Sequence, residues 1–309
     1  MYSIKRLTVV LFILLIAPLA RAQDNALVGT GSTLAYPFIT KIIEDYNRTN
    51  RVNVNYQSIG SAEGLAQLKG NTIDFGLSDI PGSNSNSVSY IPIAQCPVAI
   101  AYNVPGVKAT LKLSNIVLAD IFLKKITKWN DAKIVALNPG VKLPSMPIQI
   151  VDRAAGSGTA TIFNNYLSRV NSTWKTGSIK AKLTSKSNQG NAGWVKLTAG
   201  TIAYIGLAYA KQYQLPYAAI QGRSGSYIKP GDANYPIQGL TWAVIYKEQS
   251  YSSRGIDRVK QLVRLLKYII HNGQKNVKSL GYNSLSPQNV KEAQKTLSLI
   301  TYNGKSLQI

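Results

Sequence analysis

The chain has 309 residues, one cysteine and one histidine, and its 35 Lys and Arg against 13 Asp and Glu give a formal net charge of +22. The single Cys96 excludes an intrachain disulfide, and with His271 as the only histidine the sequence excludes a zinc site of the Cys/His type. The charge favours anionic partners, but it does not choose among phosphate-like solutes, nucleic acid and anionic surface polymers.

Residues 1–22 have the pattern of a cleavable signal peptide. Lys5 and Arg6 precede an apolar run over residues 7–19, and Ala20-Arg21-Ala22 fits the small residues before a cleavage site. Cleavage removes three basic residues and no acid, which leaves a net charge of +19. No later apolar run reaches the about 18 residues of a membrane span, and no lipid-anchor cysteine follows the cleavage point. We therefore expect an exported chain, either periplasmic or secreted.

The next segments predict strands that alternate with helices. Residues 24–32 ("DNALVGTGS"), 51–59 ("RVNVNYQSI") and 73–79 ("IDFGLSD") predict strands, and residues 35–47 and 61–71 predict helices. The first helix has one apolar face, formed by Phe38, Ile39, Ile42, Ile43 and Tyr46. The resulting β-α-β-α-β order is typical of a parallel sheet covered by helices, so we predict an α/β fold.

The second half of the chain continues the alternation. The apolar run 90–104 predicts a buried strand that contains Cys96, and residues 114–140 predict a helical block that starts at a Ser114 cap. Further strands are predicted at residues 148–153 and 239–248, a strand followed by a turn at 201–210, and further helices at 158–170 and 254–273. With no disulfide, a mature chain of this length is expected to form two lobes stabilised by apolar burial.

Three turns rich in small residues follow predicted strands and open predicted helices. They contain the sequences "GTGSTLAYPF" at 29–38, "SIGSAEG" at 58–64 and "DRAAGSGTATIF" at 152–163. The first-turn N–H groups of such helices and the hydroxyls of Ser and Thr are donors suited to an anion, although Gly and Ser are also the ordinary residues of turns and helix caps. A dinucleotide fingerprint fails at Leu34, and a nucleophile elbow around Ser157 fails at Ala155 and Thr159.

Arg153 and Asp79 complete the candidate site. A guanidinium offers fixed, bidentate donors to an oxyanion and keeps its proton, and Gly156 and Gly158 allow the main chain to approach closely. Asp79 ends a predicted strand at the same edge, where a carboxylate would repel an anion unless that anion carries a proton to donate. Phosphate carries such a proton near neutral pH and sulfate does not. Surface pairing of Arg153 and turn capping by Asp79 are the structural alternatives.

These residues in this order resemble the periplasmic phosphate-binding proteins of phosphate ABC transporters, with "DIFLKKITKWND" (120–131), "GSGT" (156–159), "GNAGW" (190–194) and "TIAYIGLAYAKQ" (201–212) as further matching blocks. The resemblance implies a type II periplasmic-binding fold, two α/β lobes with hinge strands and a ligand cleft between them. It implies inorganic phosphate as the ligand, no cofactor, no metal, no enzymatic step, a membrane permease as partner and a monomer. The first lobe is expected to comprise 23–103 and 242–309, the second 104–241, with crossings near Asn103 and Trp242.

Carried onto this sequence, the family's site implies the phosphate-binding residues Thr33, Leu34 through its main-chain N–H, Ser61, Asp79, Arg153, Ser157, Gly158 and Thr159. One position departs from the family, whose members often carry an acid two residues after the arginine, where this chain has Ala155. Two other functions remain open at the level of sequence. They are a secreted phosphoester hydrolase and a basic adhesion protein that binds anionic surface polymers.

Overall fold

The computed structural model of the chain describes residues 26–50, 52–275 and 277–307. The predicted signal peptide, residues 1–22, lies outside the described residues. In the part of the chain that is described, no helix is both long enough and apolar enough to cross a bilayer.

Strands and helices alternate through most of the chain. The strands are β1 (Leu27–Gly31), β2 (Val54–Ser58), β3 (Phe75–Ser78), β4 (Val88–Tyr102), β5 (Lys112–Leu113), β6 (Gln149–Arg153), β7 (Leu183–Ser185), β8 (Thr201–Gly206), β9 (Ala219–Gln221), β10 (Tyr227–Ile228), β11 (Gln238–Tyr246), β12 (Thr301–Tyr302) and β13 (Lys305–Ser306). The helices are α1 (Tyr36–Asn50), α2 (Ser61–Lys69), α3 (Asn115–Phe122), α4 (Ala132–Leu137), α5 (Gly158–Val170), α6 (Asn188–Leu197), α7 (Leu207–Gln212), α8 (Ile256–Ile270) and α9 (Pro287–Ser298).

The main sheet has eight strands in the order β2-β1-β3-β11-β4-β8-β6-β7. Strands β1, β2 and β3 are parallel to one another, and so are β6, β7 and β8. The antiparallel strands β4 and β11 lie between these two groups. We call the layer around β1, β2, β3 and β11 the first lobe, and the layer around β6, β7 and β8 the second lobe.

Strand β4 belongs to both lobes. Its residues 88–97 pair with β11, and its residues 98–102 pair with β8. The change of partner falls between Pro97 and Val98, where the Val98 N–H donates to the Ile237 carbonyl at 2.8 Å. The parallel strands of the two lobes therefore flank a pair of antiparallel strands, and the turns at their carboxyl ends face each other.

Several sequence-based predictions are confirmed by the structure. The five apolar residues predicted on one face of α1 are its buried residues. Helix α5 spans 158–170 as predicted, and Ser114 caps α3 by accepting the Val117 N–H at 3.1 Å. The predicted core position of Cys96 is also confirmed, because its thiol is fully buried and lies 3.2 Å from the Thr241 hydroxyl.

The prediction of one helical block over 114–140 was wrong. Helix α3 ends at Phe122 and α4 begins only at Ala132, because Lys124 adopts a left-handed backbone with φ of 59°. The Lys125 N–H then donates to the Asp120 carbonyl at 2.8 Å and closes a turn. Residues 201–210, expected as a strand and a turn, contain β8 and then the start of α7, and the helices α6 and α9 were not predicted.

Candidate functional site

Three strand-to-helix turns meet where the two lobes face each other. The turn after β1 carries Ser32 and Thr33, the turn after β2 leads to Ser61, and the turn after β6 leads to Ser157. Gly31 makes the first turn possible, since its φ is +130° and a Cβ there would lie 2.2 Å from the Leu77 carbonyl oxygen. The small residues of this turn therefore bring its hydroxyls against the end of β3.

Asp79 follows β3 and is the centre of a buried network of hydroxyls. Its Oδ1 accepts from Ser32 Oγ at 2.7 Å and from Thr241 Oγ1 at 2.5 Å. Its Oδ2 accepts from Ser32 Oγ at 2.7 Å and from Ser61 Oγ at 3.4 Å. A carboxylate has about four acceptor positions. Ser32 has one proton, which it shares between both oxygens, so the three hydroxyls leave capacity for one further proton donor.

Burial controls the ionisation of Asp79. The side chain is 1% exposed, and this loss of solvent raises the pKa of its carboxyl above the ordinary value. The hydrogen bonds from Thr241 and Ser32 and the charge of Arg153 act in the opposite direction but do not cancel the effect of burial. The carboxylate is therefore a better proton acceptor than an exposed aspartate.

Arg153, the last residue of β6, reaches the other side of the cleft. Its Nη2 donates to Thr33 Oγ1 at 3.3 Å and to the Lys186 carbonyl at 2.9 Å. The side chain is 6% exposed, and its Nε and Nη1 are buried with no hydrogen-bond partner among the described residues. Burial lowers the pKa of the guanidinium, but an arginine side chain remains charged at neutral pH. Two of its donor nitrogens are thus available to an anion.

The start of α5 supplies the remaining donors of the second lobe. Ser157 caps the helix, since its Oγ accepts the Ala160 N–H at 3.2 Å, which leaves its own proton to donate. The first-turn N–H groups of Gly158 and Thr159 have no acceptor within the helix. In the first lobe, by contrast, the Leu34 N–H is directed at Ser32 Oγ at 3.1 Å. A ligand oxygen would share this donor with Ser32.

The two lobes touch at Gly158. A Cβ at this position would lie 2.5 Å from Ser61 Oγ and 2.6 Å from Asp79 Cβ. In addition, the Ala62 N–H of the first lobe donates to the Gly156 carbonyl of the second at 3.2 Å. The structure is therefore a closed arrangement in which only a hydrogen side chain fits at residue 158.

Gly158→Ala is expected to weaken ligand binding about 5- to 150-fold, because overpacking of this kind costs about 1–3 kcal/mol and here acts against closure. Isothermal titration calorimetry measures the change, and small-angle scattering reports whether the ligand still compacts the variant. Gly193→Ala is the matched control, since a Cβ at Gly193 meets nothing within 4 Å and α6 should gain slightly in stability. Unchanged affinity in Gly158→Ala contradicts the closed arrangement.

The structure brings the eight sequence-predicted site residues into one interlobe region, and their role as ligands of phosphate stays a prediction. The sequence did not indicate two partners of this region. Thr241 on β11 binds Asp79, and Asn188 at the start of α6 binds Thr33 and Thr159. Thr241 lay in a predicted apolar strand and no element was predicted at Asn188, so neither had a local signal.

Comparison with known proteins identifies the family. Residues 18–286 match the family described as the PBP superfamily domain. The phosphate-binding protein PstS of Xylella fastidiosa is 35% identical over 305 aligned residues, which cover 85% of this chain and 82% of that protein. The chain belongs to the PstS family within the PBP superfamily.

Solved structures share the fold of this PstS-family chain. A protein from Clostridium perfringens, solved with bound phosphate, has a TM-score of 0.68 at 18% identity. The match covers 85% of this chain and 100% of the Clostridium chain. An ABC-type phosphate transport receptor from Vibrio cholerae has a TM-score of 0.57 at 18% identity, with 84% and 100% covered. The fold is thus the predicted type II periplasmic-binding fold, with two α/β lobes, hinge strands and a cleft between them.

Ala155 stands at the position where the resemblance implies an acid. Within the described residues, no carboxylate oxygen lies within 4 Å of the Arg153 guanidinium. Asp152 instead accepts a hydrogen bond from the Tyr204 hydroxyl, which also accepts the Arg153 N–H at 3.2 Å. Ala155 and Arg153 line the same cavity of about 300 Å³, so a carboxylate fits there.

Ala155→Asp is expected to make ligand binding less sensitive to salt. An added carboxylate beside Arg153 neutralises part of the arginine's charge. Dissolved ions then have a smaller charge–charge attraction between site and ligand to screen, so the affinity changes less with salt. The slope of log affinity against log salt, measured by calorimetry from low to moderate ionic strength, tests this. Ser168→Asp adds the same charge on the exposed face of α5 as a control. Equal slopes in the wild type and Ala155→Asp contradict the expectation.

A metal centre is not formed by the described residues, because they contain no group of three or more His, Cys, Asp or Glu side chains able to hold a metal ion. His271 lies at the end of α8, where its Nε2 is 3.1 Å from Gln294 Nε2 and away from the cleft. The chemistry of the site is therefore that of hydrogen-bond donors, one guanidinium and one carboxylate.

Proposed function

We propose that this chain is an exported solute-binding protein that captures one inorganic phosphate in the interlobe cleft and delivers it to the permease of a phosphate ABC transporter. The observation that carries the proposal is the buried pair of Asp79 and Arg153 within a set of hydroxyl and N–H donors. This pair fits an oxyanion that both accepts hydrogen bonds and donates one. The names of the relatives, PstS and phosphate transport receptor, agree with this chemistry.

The remaining acceptor capacity of Asp79 accounts for selectivity. Monohydrogen phosphate donates its proton to the carboxylate, while its other oxygens accept from Arg153, Ser157, Thr159 and the first turn of α5. Sulfate has no proton to donate near neutral pH, so its oxygen would face the buried carboxylate without a hydrogen bond. An unpaired buried polar group of this kind gives a large discrimination between similar ligands.

Binding is expected to close the cleft without chemical change to the ligand. Phosphate contacts donors on both lobes, so it has higher affinity for the closed form than for the open one. The strand pairing supports a lobe boundary at residues 97–98 on β4 and 237–238 before β11, a few residues before the crossings expected near Asn103 and Trp242. The protein acts outside the cytoplasmic membrane as a monomer with no cofactor.

Calorimetric titration of phosphate-stripped protein tests the proposal. Phosphate should bind with a stoichiometry of about one, and sulfate at least about 100-fold more weakly at neutral pH. Sulfate binding equal to phosphate, or no binding of phosphate, overturns the proposal.

Two further assays separate the alternative functions. A phosphoester hydrolase would turn over a chromogenic phosphoester, and we expect no turnover. An adhesion role would rest on charge, and residues 104–241 hold 17 Lys and Arg against four acids. Salt-reversible retention on heparin that survives Arg153→Ala would mark binding of anionic surface polymers as an additional role.

A further inference from the structure

Three tyrosine hydroxyls hold the turn that follows β1. Each donates to one of three consecutive main-chain carbonyls: Tyr56 to Ser32 at 2.9 Å, Tyr209 to Thr33 at 2.8 Å and Tyr282 to Leu34 at 2.7 Å. These carbonyls precede α1, and no main-chain N–H of the described residues donates to them. The tyrosines therefore take the place of a main-chain partner along the whole turn.

The proton of each tyrosine stays on its hydroxyl. A phenol has one proton to donate, and a carbonyl can only accept. Burial raises the pKa of Tyr56, Tyr209 and Tyr282 above its ordinary value, because an ionised phenolate would lose its solvent. All three side chains are therefore donors at any pH near neutrality.

The contact of Tyr209 sets the direction of a neighbouring N–H group. The peptide bonds of the turn are trans, so the carbonyl of one residue and the N–H of the next point to opposite sides of the same plane. With the Thr33 carbonyl directed at Tyr209, the Leu34 N–H is turned the other way, toward Ser32 Oγ at 3.1 Å. This N–H is one of the donors predicted to bind the ligand.

The three tyrosines do not belong to the same lobe. Tyr56 lies on β2 of the first lobe, and the ring of Tyr282 packs on Phe38 of α1 with 5.5 Å between the ring centroids. Tyr209 instead lies on α7, which directly follows β8 of the second lobe. Of the three hydrogen bonds, the one from Tyr209 therefore crosses from one lobe to the other.

Helix α7 packs closely on the first lobe. A Cβ at Gly206, where the helix starts, would lie 2.6 Å from Leu34 Cδ1. A Cβ at Gly281 would lie 2.9 Å from the main-chain nitrogen of Ala208. The approach of α7 to the turn is thus part of the closed arrangement already seen at Gly158.

We propose that Tyr209 is a positioning residue that reaches the Thr33 carbonyl only when the lobes close, directs the Leu34 N–H at the ligand and stabilises the closed form. Tyr56 and Tyr282 hold the neighbouring carbonyls in the open and the closed form alike. The inference rests on the proposed function and adds to it an interlobe contact that includes no ligand atom. In the open form water hydrates the hydroxyl and the carbonyl, so the contact contributes to closure and not to the first encounter with phosphate.

The test is Tyr209→Phe, which removes one hydroxyl and keeps the ring. Stopped-flow fluorescence with inorganic phosphate measures the association and dissociation rates separately. The dissociation rate should rise at least about fivefold, because the closed form of the variant buries a carbonyl without a partner. The association rate should change by less than about twofold, because phosphate enters the open form, in which the contact is absent.

Two further variants separate this role from a purely structural one. Tyr213→Phe makes the same change at the end of α7, outside the three carbonyl contacts, and should match the wild type. Tyr282→Phe removes a hydroxyl from the same turn within the first lobe, so it should lower the free energy of urea unfolding of the phosphate-free protein. Tyr209→Phe should leave that free energy unchanged and reduce only the stability gained on adding phosphate.

An unchanged dissociation rate in Tyr209→Phe overturns the role of Tyr209. A loss of urea stability that is equal with and without phosphate also overturns it, because the contact would then exist in the open form as well. If the wild type binds no phosphate, the proposed function fails and this role fails with it. Phosphate binding by the wild type therefore distinguishes the two failures.

Discussion

Arg153→Ala is expected to weaken phosphate binding about 10- to 150-fold, which corresponds to about 1.5–3 kcal/mol for a lost hydrogen-bonded charge. The guanidinium is buried at the end of β6, and its Nε and Nη1 are the donors that have no partner among the described residues. The hydrogen bonds of the guanidinium run only from Nη2, to a threonine oxygen and a carbonyl, among the described residues. Calorimetry measures the loss directly.

The matched control for this variant is Arg169→Ala. Arg169 is exposed near the end of α5, so its removal takes the same charge from the second lobe without touching the cleft. If the general positive field attracted phosphate, both variants would weaken binding alike. Full affinity in Arg153→Ala would show that the assigned site is wrong.

Asp79→Asn is expected to abolish most of the discrimination between phosphate and sulfate. The amide has nearly the same shape, but it presents one oxygen and two N–H groups where the carboxylate presents two acceptors. Phosphate loses the acceptor of its proton at a cost of about 1.5–3 kcal/mol, and sulfate gains a donor in place of a repelling charge. The ratio of the two dissociation constants, measured for wild type and variant at neutral pH, should fall by at least about tenfold. An unchanged ratio contradicts the role of Asp79.

The same substitution should change the pH dependence of stability. Burial raises the pKa of Asp79 in the folded protein above its ordinary value of 3.8, so this group stabilises the fold at acid pH and the contribution is lost as pH rises through the folded pKa. Asparagine does not ionise, so the Asp79→Asn variant does not lose stability in this way as pH rises. Relative to wild type, the variant should become more stable in urea unfolding as pH rises from about 4 toward 7. Asp45→Asn on the surface of α1 is the control and should show no such trend toward neutrality.

The parts of the fold that were predicted correctly depend on local patterns. The apolar face of α1, the cap at Ser114 and the limits of α5 follow from residues within a few positions of one another. The break after α3 was missed because it depends on the left-handed backbone of Lys124, and lysine gives no signal for that conformation. The short helices α6 and α7 were missed because their polar or uniformly buried residues lack a clear helical period.

In the candidate site, too, the residues with a local sequence signal were predicted and those without one were missed. The glycine-rich turns and Asp79 have local signals, since small residues after a strand and an acid at a strand end are visible in the sequence. The partners that determine how these groups act come from far along the chain. Thr241 reaches Asp79 across 162 positions and Asn188 reaches Thr33 across 155, and only the sheet topology brings them together. A single sequence therefore indicated the donors of the site but not the residues that orient them.

Strand β4 changes its pairing partner at a proline. Pro97 has no N–H group, so the sheet loses no main-chain donor at the one residue where the strand passes from one lobe to the other. A bend at this position therefore breaks no hydrogen bond donated by residue 97. The ring of Pro97 also fixes φ at this residue, which leaves ψ as its free main-chain torsion.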